Sequence, residues 1–591
     1  MSRLPIFFIG LVWWGMFALP TAYASQDFDK WAEKFAGDWV RTDPSLSTMH
    51  DYLPREEQRL LDRQLTPYTA EARNARVTLA QRGLAELRAF PRDRLQAHQR
   101  LAASVIQNEL GSVVRSAQHM DLEYPFRSFL GIHLLLVDYL TRFHPLRDGT
   151  DVDNYLARLA QVGQRMDEAT AWAKELEAKG HRMPDFITQS ALGQFERFLA
   201  PAPKDNVFVS SLRNRLASLS TVSDTDKQRW LKQAEIYAEQ QVMPAYMRAQ
   251  ALLKEQLPKT TSQAGWGARK GGTAAYQEAL RQHTTTTMTA AEIHAIGLRE
   301  VARIETQMDQ ILRKLGYKEG SVEARYQLLE KSLQPPSGAD PRAELLAKFQ
   351  AMIDDAEIRS RAVFELRPKA ACIIQREPLI SEVSASARYT PPRLDGSLPG
   401  TFWVPLPGPQ FRIAGMRTLT YHEAIPGHHF QYALAQELQT IPRYLRGALF
   451  GRNSAYGEGW ALYAEQLAVE LGWYEGDDIG LLGQLQAQLF RARRLVTDTG
   501  MHAMNWTRQQ VIDYGIPPSE ADRYAVWPGQ ATSYMVGMLH ILELRQKAKD
   551  ALGDKFDIKQ FHNAILGSGR LPLDVLSELV DGWIIEQKQR R

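Results

Sequence analysis

The sequence predicts a mainly α-helical protein with a small amount of β-sheet. Apolar residues recur at spacings of three and four along most of the chain, which is the period of an amphipathic helix. A capping box and a C-capping glycine mark the two ends of one long helix. One short run of β-branched and aromatic residues interrupts the helical pattern and predicts the sheet. We expect a large bundle of two helical halves around a deep cleft.

The first 24 residues have the composition of a secretory signal peptide. Arg3 is their only charged residue, an apolar run extends from Ile6 to Leu19, and Ala22-Tyr23-Ala24 fits a signal-peptidase site. A membrane anchor is the alternative, but the apolar run is shorter than the roughly 20 residues that span a bilayer, and Pro20 ends it. There is no cysteine near this site, so we do not expect a lipoprotein anchor. We therefore expect a periplasmic or secreted protein without stable membrane insertion after cleavage of residues 1–24.

Charge and cysteine content exclude several classes of protein. Lys and Arg number 71 and Asp and Glu number 68, a formal net charge of +3, so nucleic acid is not an expected partner. A single cysteine, Cys372, cannot form an intramolecular disulfide even in an oxidising compartment. Its neighbours are apolar, so we interpret Cys372 as a small buried hydrophobe and not as a nucleophile.

The first half of the mature chain, residues 25–270, shows three clear helical patterns. The first places four aromatic residues on one face before Asp43-Pro44 ends the helix: Phe28, Trp31, Phe35 and Trp39. The second runs through Tyr155 and Ala169. The third covers Lys227 to Leu257, where Pro244 predicts a kink.

A glycine-rich connection, Pro258 to Gly272, separates this half from residues 271–591. Thr289 and Glu292 then form a capping box, and Gly316 is placed to end the same helix. The Pro- and Gly-rich segment Tyr389 to Gln410 follows. Within it, residues 401–404 (Thr-Phe-Trp-Val) are the best strand candidate, and we expect a minor sheet or an edge strand near the functional site. If Phe402 to Val404 form an edge strand, an extended peptide could add to it as a further strand.

The most informative stretch for function is residues 421–431, Tyr-His-Glu-Ala-Ile-Pro-Gly-His-His-Phe-Gln. Neutral imidazoles are preferred nitrogen ligands of zinc, and a glutamate beside the first ligand can accept a proton from water. His422 is the first candidate ligand and Glu423 the candidate base. The second ligand is His428 or His429, which are six and seven residues further on.

Helix geometry does not by itself choose between these two histidines. On a straight helix His428 would lie about 120° from His422, whereas His429 would be nearly in line but about 10 Å along the axis. Pro426 and Gly427 lie between them, and a proline within a helix causes a kink or bulge. A bulge that absorbs two residues would bring His428 close to His422, so we favour His428.

A catalytic zinc site needs a third protein ligand, and a second predicted helix supplies two candidates. Its sequence from Tyr456 is Tyr-Gly-Glu-Gly-Trp-Ala-Leu-Tyr-Ala-Glu, with Glu458 and Glu465 seven residues apart on one side. Glu458 stands between two glycines that allow close approach, so we expect it to be the ligand. Glu465 is then placed to orient a ligand histidine.

These motifs resemble the bacterial domain of unknown function 885 family. The resemblance rests on the two motifs above, on residues 498–502 (Asp-Thr-Gly-Met-His) and on Trp527-Pro-Gly-Gln-Ala-x-Ser-Tyr-x-x-Gly537. It is specific from about Ala385 to Trp583. The family is thinly characterised, so the resemblance does not imply one activity.

A more distant similarity is to the zinc peptidases related to angiotensin-converting enzyme, thimet oligopeptidase and carboxypeptidase Taq. This resemblance implies a helical protein with Zn²⁺ in a channel, and His422, His428 and Glu458 as its ligands. It also implies that Glu423 is the general base. Tyr534 or His502 would stabilise the oxyanion. The two-residue insertion between the histidines is the departure from the pattern.

The sequence therefore predicts an exported zinc-dependent hydrolase, foremost a metallopeptidase acting on oligopeptides. A zinc amidase acting on small acylated amino acids and a non-catalytic binding protein with a degenerate site are the alternatives. Some candidates also have structural interpretations: Asp498, Arg494 and His502 as a buried polar network, and Arg523 as a salt-bridge partner of Glu520 or Asp522. The sequence leaves the oligomeric state open.

Overall fold

The computed structural model describes residues 19–336, 338, 340–378, 382, 386–392, 398–447, 449–451 and 454–590, with side chains from residue 27 onward. These residues form a mainly helical structure, as predicted. Residues 1–18 of the predicted signal peptide lie outside the described residues. Its cleavage point falls within the first helix, Leu19–Arg41, and stays a prediction.

The helices before the sheet have the following bounds: α1 Leu19–Arg41, α2 Pro44–His50, α3 Arg55–Leu61, α4 Ala70–Leu87, α5 Ala97–Ser116, α6 Ile132–Asp138, α7 Gly149–Ala178, α8 Asp185–Leu199, α9 Val207–Ala217, α10 Asp224–Tyr237, α11 Met243–Gln256, α12 Gly272–Thr284, α13 Ala290–Lys314, α14 Val322–Ser332 and α15 Arg342–Ser360. Single-turn 3₁₀ and π segments join several of them.

The sheet and the C-terminal helices follow: β1 Cys372–Arg376, β2 Arg388–Thr390, β3 Gly400–Val404, α16 Met416–Glu423, α17 His428–Glu437, α18 Arg443–Arg446, α19 Ala455–Glu470, α20 Asp478–Ala503, α21 Arg508–Asp513, α22 Pro518–Val526, α23 Ser533–Leu552, α24 Ile558–Leu566 and α25 Leu573–Gln589. These elements carry the predicted site residues.

Local sequence signals set several helix ends. Asp43 caps α2 by accepting the backbone N–H of Leu46, directly after α1 has ended. The capping box of Thr289 and Glu292 begins α13, and Gly316, with φ of +94°, follows its end. The helix predicted from Lys227 to Leu257 is interrupted just before Pro244 by a π-helical turn, Ala238–Val242, between α10 and α11. The predicted helix ends are confirmed, and the kink at Pro244 stays a prediction.

The predicted strand belongs to a small sheet, and the structure excludes the alternative of an edge strand. Its strand order is β1-β3-β2, with β1 parallel and β2 antiparallel to β3. The strand predicted at residues 401–404 exists as β3, but it is the central strand and not the edge. Both of its sides are paired, because Phe402 is opposite Ile374 on one side and Tyr389 on the other. An extended peptide therefore cannot add to this strand.

The buried apolar residues form two clusters. One joins helices α1 to α5 to the later helices, with members from Phe28 to Leu122 and from Trp266 to Ile584. The other contains Leu65, members from Tyr124 to Ala264, and a segment from Met501 to Ala531. The boundary predicted at residue 270 therefore does not coincide with the division of these clusters, because α1 to α5 pack with the C-terminal half.

Two further expectations concern Cys372 and the membrane. Cys372 is half-buried on β1, and burial raises the pKa of its thiol to about 12, with Glu357 and Glu423 adding to the effect. A thiol of this kind is protonated at neutral pH and is not an activated nucleophile. None of the helices in the described part of the chain is long and apolar enough to cross a membrane.

Candidate metal centre

Three donor side chains meet at one point of the C-terminal region: His422, His428 and Glu458. One nitrogen or oxygen atom of each lies within 4.8 Å of the other two. The Nε2 atoms of His422 and His428 are 3.6 and 3.5 Å from Oε2 of Glu458. The two histidines are buried, whereas the Glu458 side chain is 23% exposed, so solvent reaches the cluster from the side of Glu458.

The two histidines come together because the helix is interrupted between them. We predicted a helix that continues through a bulge, but α16 ends at Glu423 and α17 begins at His428. Gly427 turns the chain so closely that a Cβ atom there would lie 2.0 Å from the carbonyl oxygen of His422. Only glycine fits this approach, and the tight turn brings the His428 ring within 4.8 Å of the His422 ring.

His429 does not join the triad. Its Nδ1 is 2.8 Å from the hydroxyl of Tyr389 on β2, and its ring also bonds to the carbonyl of Ala370. Burial lowers the pKa of His429 to about 4, against the effect of the Ala370 bond, so the ring is neutral and holds the sheet against α17. The structure thus brings His428, and not His429, to His422 and Glu458.

Helix α19 carries Glu458 in its first turn, and close packing fixes its position. A Cβ at Gly459 would lie 2.5 Å from the backbone of Gly537 on α23, so the two helices cross with their backbones in contact. The indole N–H of Trp460 donates to the carbonyl of Pro426 at 2.9 Å. Gly459 thus serves helix packing, whereas a Cβ at Gly457 would meet its nearest neighbours only at 3.6 Å. Trp460 connects α19 to the turn between the histidines.

Glu465 orients His422 from behind. Its Oε1 is 2.8 Å from Nδ1 of His422, and its other oxygen accepts a hydrogen bond from Thr418. Burial raises the pKa of Glu465, but Arg491 and the His422 bond outweigh it, so the carboxyl is ionised. An ionised Glu465 accepts the Nδ1 proton, so Nε2 is the nitrogen of His422 that faces His428 and Glu458.

The charges of the cluster match a cation. Burial raises the pKa of Glu458, but hydrogen bonds to His422 and His428 lower it well below its ordinary value. Burial lowers the pKa of His422, but its bonds to Glu458 and Glu465, with the charge of Glu423, raise it to about 9. Two imidazole nitrogens and a carboxylate are a donor set typical of zinc, so these residues fit the implied metal.

Glu423 lies beside the triad and is 6% exposed. It follows His422 directly in the sequence. Its charge adds to the raised pKa of His422 after the bonds to Glu458 and Glu465, and to the raised pKa of Tyr432 after burial. Within the described residues, no hydrogen-bond donor of the protein contacts this carboxylate. Its oxygens are therefore available to accept a proton from another molecule.

Tyr534 lies on the first turn of α23, half-buried, beside the same region. Burial raises the pKa of Tyr432, and the charges of Glu458, Glu423 and Tyr534 add to this effect against that of Arg570. The centre of the Tyr432 ring is 5.5 Å from that of His428. The guanidinium of Arg494 stacks 4.4 Å from the centre of the Tyr534 ring. Tyr534 is thus linked to the triad only through Tyr432, and its role as oxyanion donor stays a prediction.

His502 has a different position from the one predicted. It is fully buried, its Nδ1 accepts the backbone N–H of Trp266 at 3.2 Å, and its Nε2 donates to the carbonyl of Tyr524 at 3.0 Å. Burial lowers its pKa to about 3, against the effect of the Tyr524 bond. Both nitrogens are occupied by backbone groups, so His502 cannot also donate to an oxyanion. His502 therefore has a structural position, but its hydrogen bonds are to Trp266 and Tyr524 and do not form the predicted network with Asp498 and Arg494.

The other predicted polar residues separate into two groups. Asp498 accepts hydrogen bonds from Tyr276 at 2.6 Å and from the N–H of Gly529 at 3.0 Å. Arg523 pairs with Glu520 at 2.8 Å, the salt bridge that the sequence suggested. Arg494 also pairs with Glu520, at 3.0 Å, and so does not join Asp498 in one network.

Two tyrosines of the site were missed by sequence reasoning. Tyr432 follows His428 by four residues, so the helical period could have placed it on the same face. Tyr389 reaches His429 from a strand 40 residues earlier, and no local signal predicts that contact.

Fold and site together define a mainly helical protein with a buried centre of two histidines and one glutamate. The family model described as "Bacterial protein of unknown function (DUF885)" matches residues 48–580. The chain therefore belongs to this family.

Two solved structures are similar over nearly the whole chain. A putative lipoprotein from Colwellia psychrerythraea is 30% identical, with a TM-score of 0.88, and the match covers 95% of this chain and 99% of that one. A putative lipoprotein of unknown function from Shewanella oneidensis is 19% identical, with a TM-score of 0.71 and coverage of 93% and 99%, and shares the fold. Comparison with curated proteins gives no match.

Proposed function

We propose that this protein is a zinc-dependent hydrolase, foremost a metallopeptidase that cleaves oligopeptides. The observation that supports it is the meeting of His422, His428 and Glu458, with Glu465 behind His422. A histidine whose second nitrogen is held by a carboxylate is the usual arrangement of a zinc ligand.

The residues around the triad suggest how hydrolysis would proceed. A bound zinc ion would supply Lewis acidity to the scissile carbonyl. Glu423, whose carboxylate meets no donor of the described protein, would take the proton of the attacking water and pass it to the leaving amine. Tyr534 would donate a hydrogen bond to the oxyanion that develops on the carbonyl.

An exported location fits this proposal. The segment from Ile6 to Leu19 has the apolar character of a signal peptide. The 30% identical relative from Colwellia psychrerythraea is described as a putative lipoprotein, a class of envelope protein. We therefore place the enzyme in the periplasm or outside the cell.

Elemental analysis followed by a peptide library tests the proposal. Protein purified without chelators should contain close to one equivalent of zinc, and the zinc-loaded protein should release new termini from a mixed peptide library, detected by mass spectrometry. Absence of zinc, together with no uptake on addition, would refute the metallohydrolase. Zinc binding with turnover of acylated amino acids alone would favour the amidase, and zinc binding without any turnover would favour a binding protein.

A further inference from the structure

Tyr432 lies beside the triad, between a helix that carries one candidate ligand and a helix that carries another. It follows His428 by four residues on α17, so the two side chains share a face of that helix. Their ring centres are 5.5 Å apart. A Cβ at Gly457, the residue before Glu458 on α19, would lie 3.6 Å from the Tyr432 hydroxyl. The hydroxyl therefore lies against the turn of α19 that carries Glu458.

The ring of Tyr432 is held in place without the help of its hydroxyl. The Tyr389 ring stacks on it with centres 6.2 Å apart, and the guanidinium carbon of Arg570 lies 5.4 Å from its centre. These contacts and the one with His428 involve the aromatic ring. Phenylalanine at position 432 would therefore keep the packing and remove only the hydroxyl group.

The Tyr432 hydroxyl is available to another molecule. It makes no hydrogen bond within the described part of the chain, and it is not one of the polar atoms there that are both unbonded and shut off from solvent. The Tyr389 hydroxyl, by contrast, is bonded to His429. Solvent reaches the triad at Glu458, which is 23% exposed and belongs to the turn against which the Tyr432 hydroxyl lies. A phenol is protonated at neutral pH, so this group can donate.

We propose that Tyr432 is a further catalytic residue, whose hydroxyl donates a hydrogen bond to the carbonyl oxygen of the bond that is cleaved. This inference rests on the proposed function, since it assigns a second donor in the same site. A substrate carbonyl must come close to the triad to react, and its oxygen has two lone pairs that can accept from Tyr432 and Tyr534 together. Negative charge develops on that oxygen during hydrolysis, so the bond strengthens in the transition state.

Tyr432→Phe tests the contribution of the hydroxyl to turnover. On peptides that the zinc-loaded parent cleaves, kcat/KM should fall by about tenfold or more, chiefly through kcat. Zinc content and thermal unfolding should stay those of the parent, because the lost group makes no hydrogen bond in the described protein.

Tyr237→Phe is the matched control for this substitution. Tyr237 on α10 is also half-buried, and its hydroxyl likewise makes no hydrogen bond to any residue that the structure describes. It packs against the second apolar cluster, of which no candidate ligand is a member. This variant should retain the kcat and KM of the parent.

A small zinc ligand tests the same contact without turnover. Acetohydroxamate binds zinc through its oxygen atoms and so brings a carbonyl oxygen to the metal. Calorimetry should show a Kd about fivefold weaker for zinc-loaded Tyr432→Phe than for the parent, the range expected for one lost hydrogen bond, and no change for Tyr237→Phe.

These measurements separate the role of Tyr432 from the proposed function. Unchanged kcat and unchanged Kd in Tyr432→Phe would overturn the inference while leaving the hydrolase intact, and loss of zinc from this variant would show a structural role instead. A lower kcat with unchanged zinc content supports the inference. Weaker acetohydroxamate binding by Tyr432→Phe, when the zinc-loaded parent cleaves no peptide or acylated amino acid, would refute the hydrolase and retain the hydroxyl as a donor at the metal.

Discussion

At the scale of single residues, the geometry of the candidate centre depends on residues other than the three candidate ligands. Glu465 holds Nδ1 of His422, and Thr418 holds Glu465 in turn. Gly427 has no side chain, and its close contact with the carbonyl of His422 sets the turn that brings His428 into place. The donor geometry is therefore set by a surrounding layer of contacts as much as by the donors.

Replacing Glu423 with glutamine tests the proposed general base. The amide has the shape of the carboxylate but cannot accept the proton, so hydrolysis should fall by about two to four orders of magnitude. Zinc content and thermal unfolding should stay close to those of the parent. Glu475→Gln, on an exposed turn, is the control and should retain activity. A fully active Glu423→Gln protein would exclude the assigned role.

The two neighbouring histidines should respond differently to replacement by alanine. His428→Ala removes a donor of the triad and should abolish stoichiometric zinc binding. His429→Ala breaks the contact with Tyr389 on β2, so it should lower stability while zinc is retained. Zinc stoichiometry of the two purified variants is the measurement, and the reverse pattern would assign His429 as the ligand.

At the scale of elements, the centre depends on three helices that are each positioned by another element. Helix α16 ends where the Pro426-Gly427 turn begins, α17 is held to the sheet through His429, and α19 lies against α23. The backbone contact between Gly459 and Gly537 explains why glycines occur in both motifs. Helices with side chains at this crossing would be farther apart, and Glu458 would move with them.

Alanine at Gly459 should disrupt this crossing. Its Cβ would lie 2.5 Å from the backbone of Gly537, so α19 and α23 must separate, and overpacking of this kind costs about 1 to 3 kcal/mol of unfolding free energy. Gly582→Ala, in α25 with nothing within 4 Å, is the matched control and should be neutral or slightly stabilising. Chemical denaturation compares the two, and equal stability would show that the close crossing is absent.

At the scale of the whole molecule, buried polar contacts connect distant parts of the chain. Asp498 on α20 accepts from Tyr276 on α12 and from Gly529 before α23, and His502 accepts the N–H of Trp266 in the connection between the predicted halves. Gly265 and Gly267 of that connection lie against the carbonyls of Met501 and His502. The end of α20 therefore joins the two apolar clusters.

Stability should depend on pH through Asp498. Burial raises its pKa from 3.8 to about 7 in the folded protein, so folding favours the protonated carboxyl. This contribution is fully present below about pH 4 and is lost as the pH rises through 7, at about 1.4 kcal/mol per pKa unit. Asp498→Asn remains neutral and should therefore lose less stability than the parent between pH 5 and 8.

Thermal unfolding at several pH values measures this difference. The exposed Asp513→Asn is the control, and its pH profile should follow that of the parent. If the profiles of Asp498→Asn and the parent run parallel, Asp498 does not titrate in this range and is not the source of the pH dependence.

The sequence by itself determined the features that depend on neighbouring residues. Helical class, the capping box of Thr289, the interruption just before Pro244 and the β-prone run at residues 401–404 all follow from local periodicity and backbone chemistry. The three candidate donors were also identified from the local sequence, because imidazoles and carboxylates are the ligand types of zinc and two short motifs contain them. Pro426-Gly427 between the histidines was enough to favour His428.

Only the tertiary structure decided the features that depend on contacts distant in sequence. It made residues 400–404 the central strand, because β1 and β2 pair with both sides, and it assigned His502 to backbone groups of Trp266 and Tyr524. It also packed α1 to α5 with the C-terminal helices across the predicted boundary. The physical reason is that a residue's chemistry is local, whereas its hydrogen-bond partners and burial are set by segments that can lie hundreds of residues away.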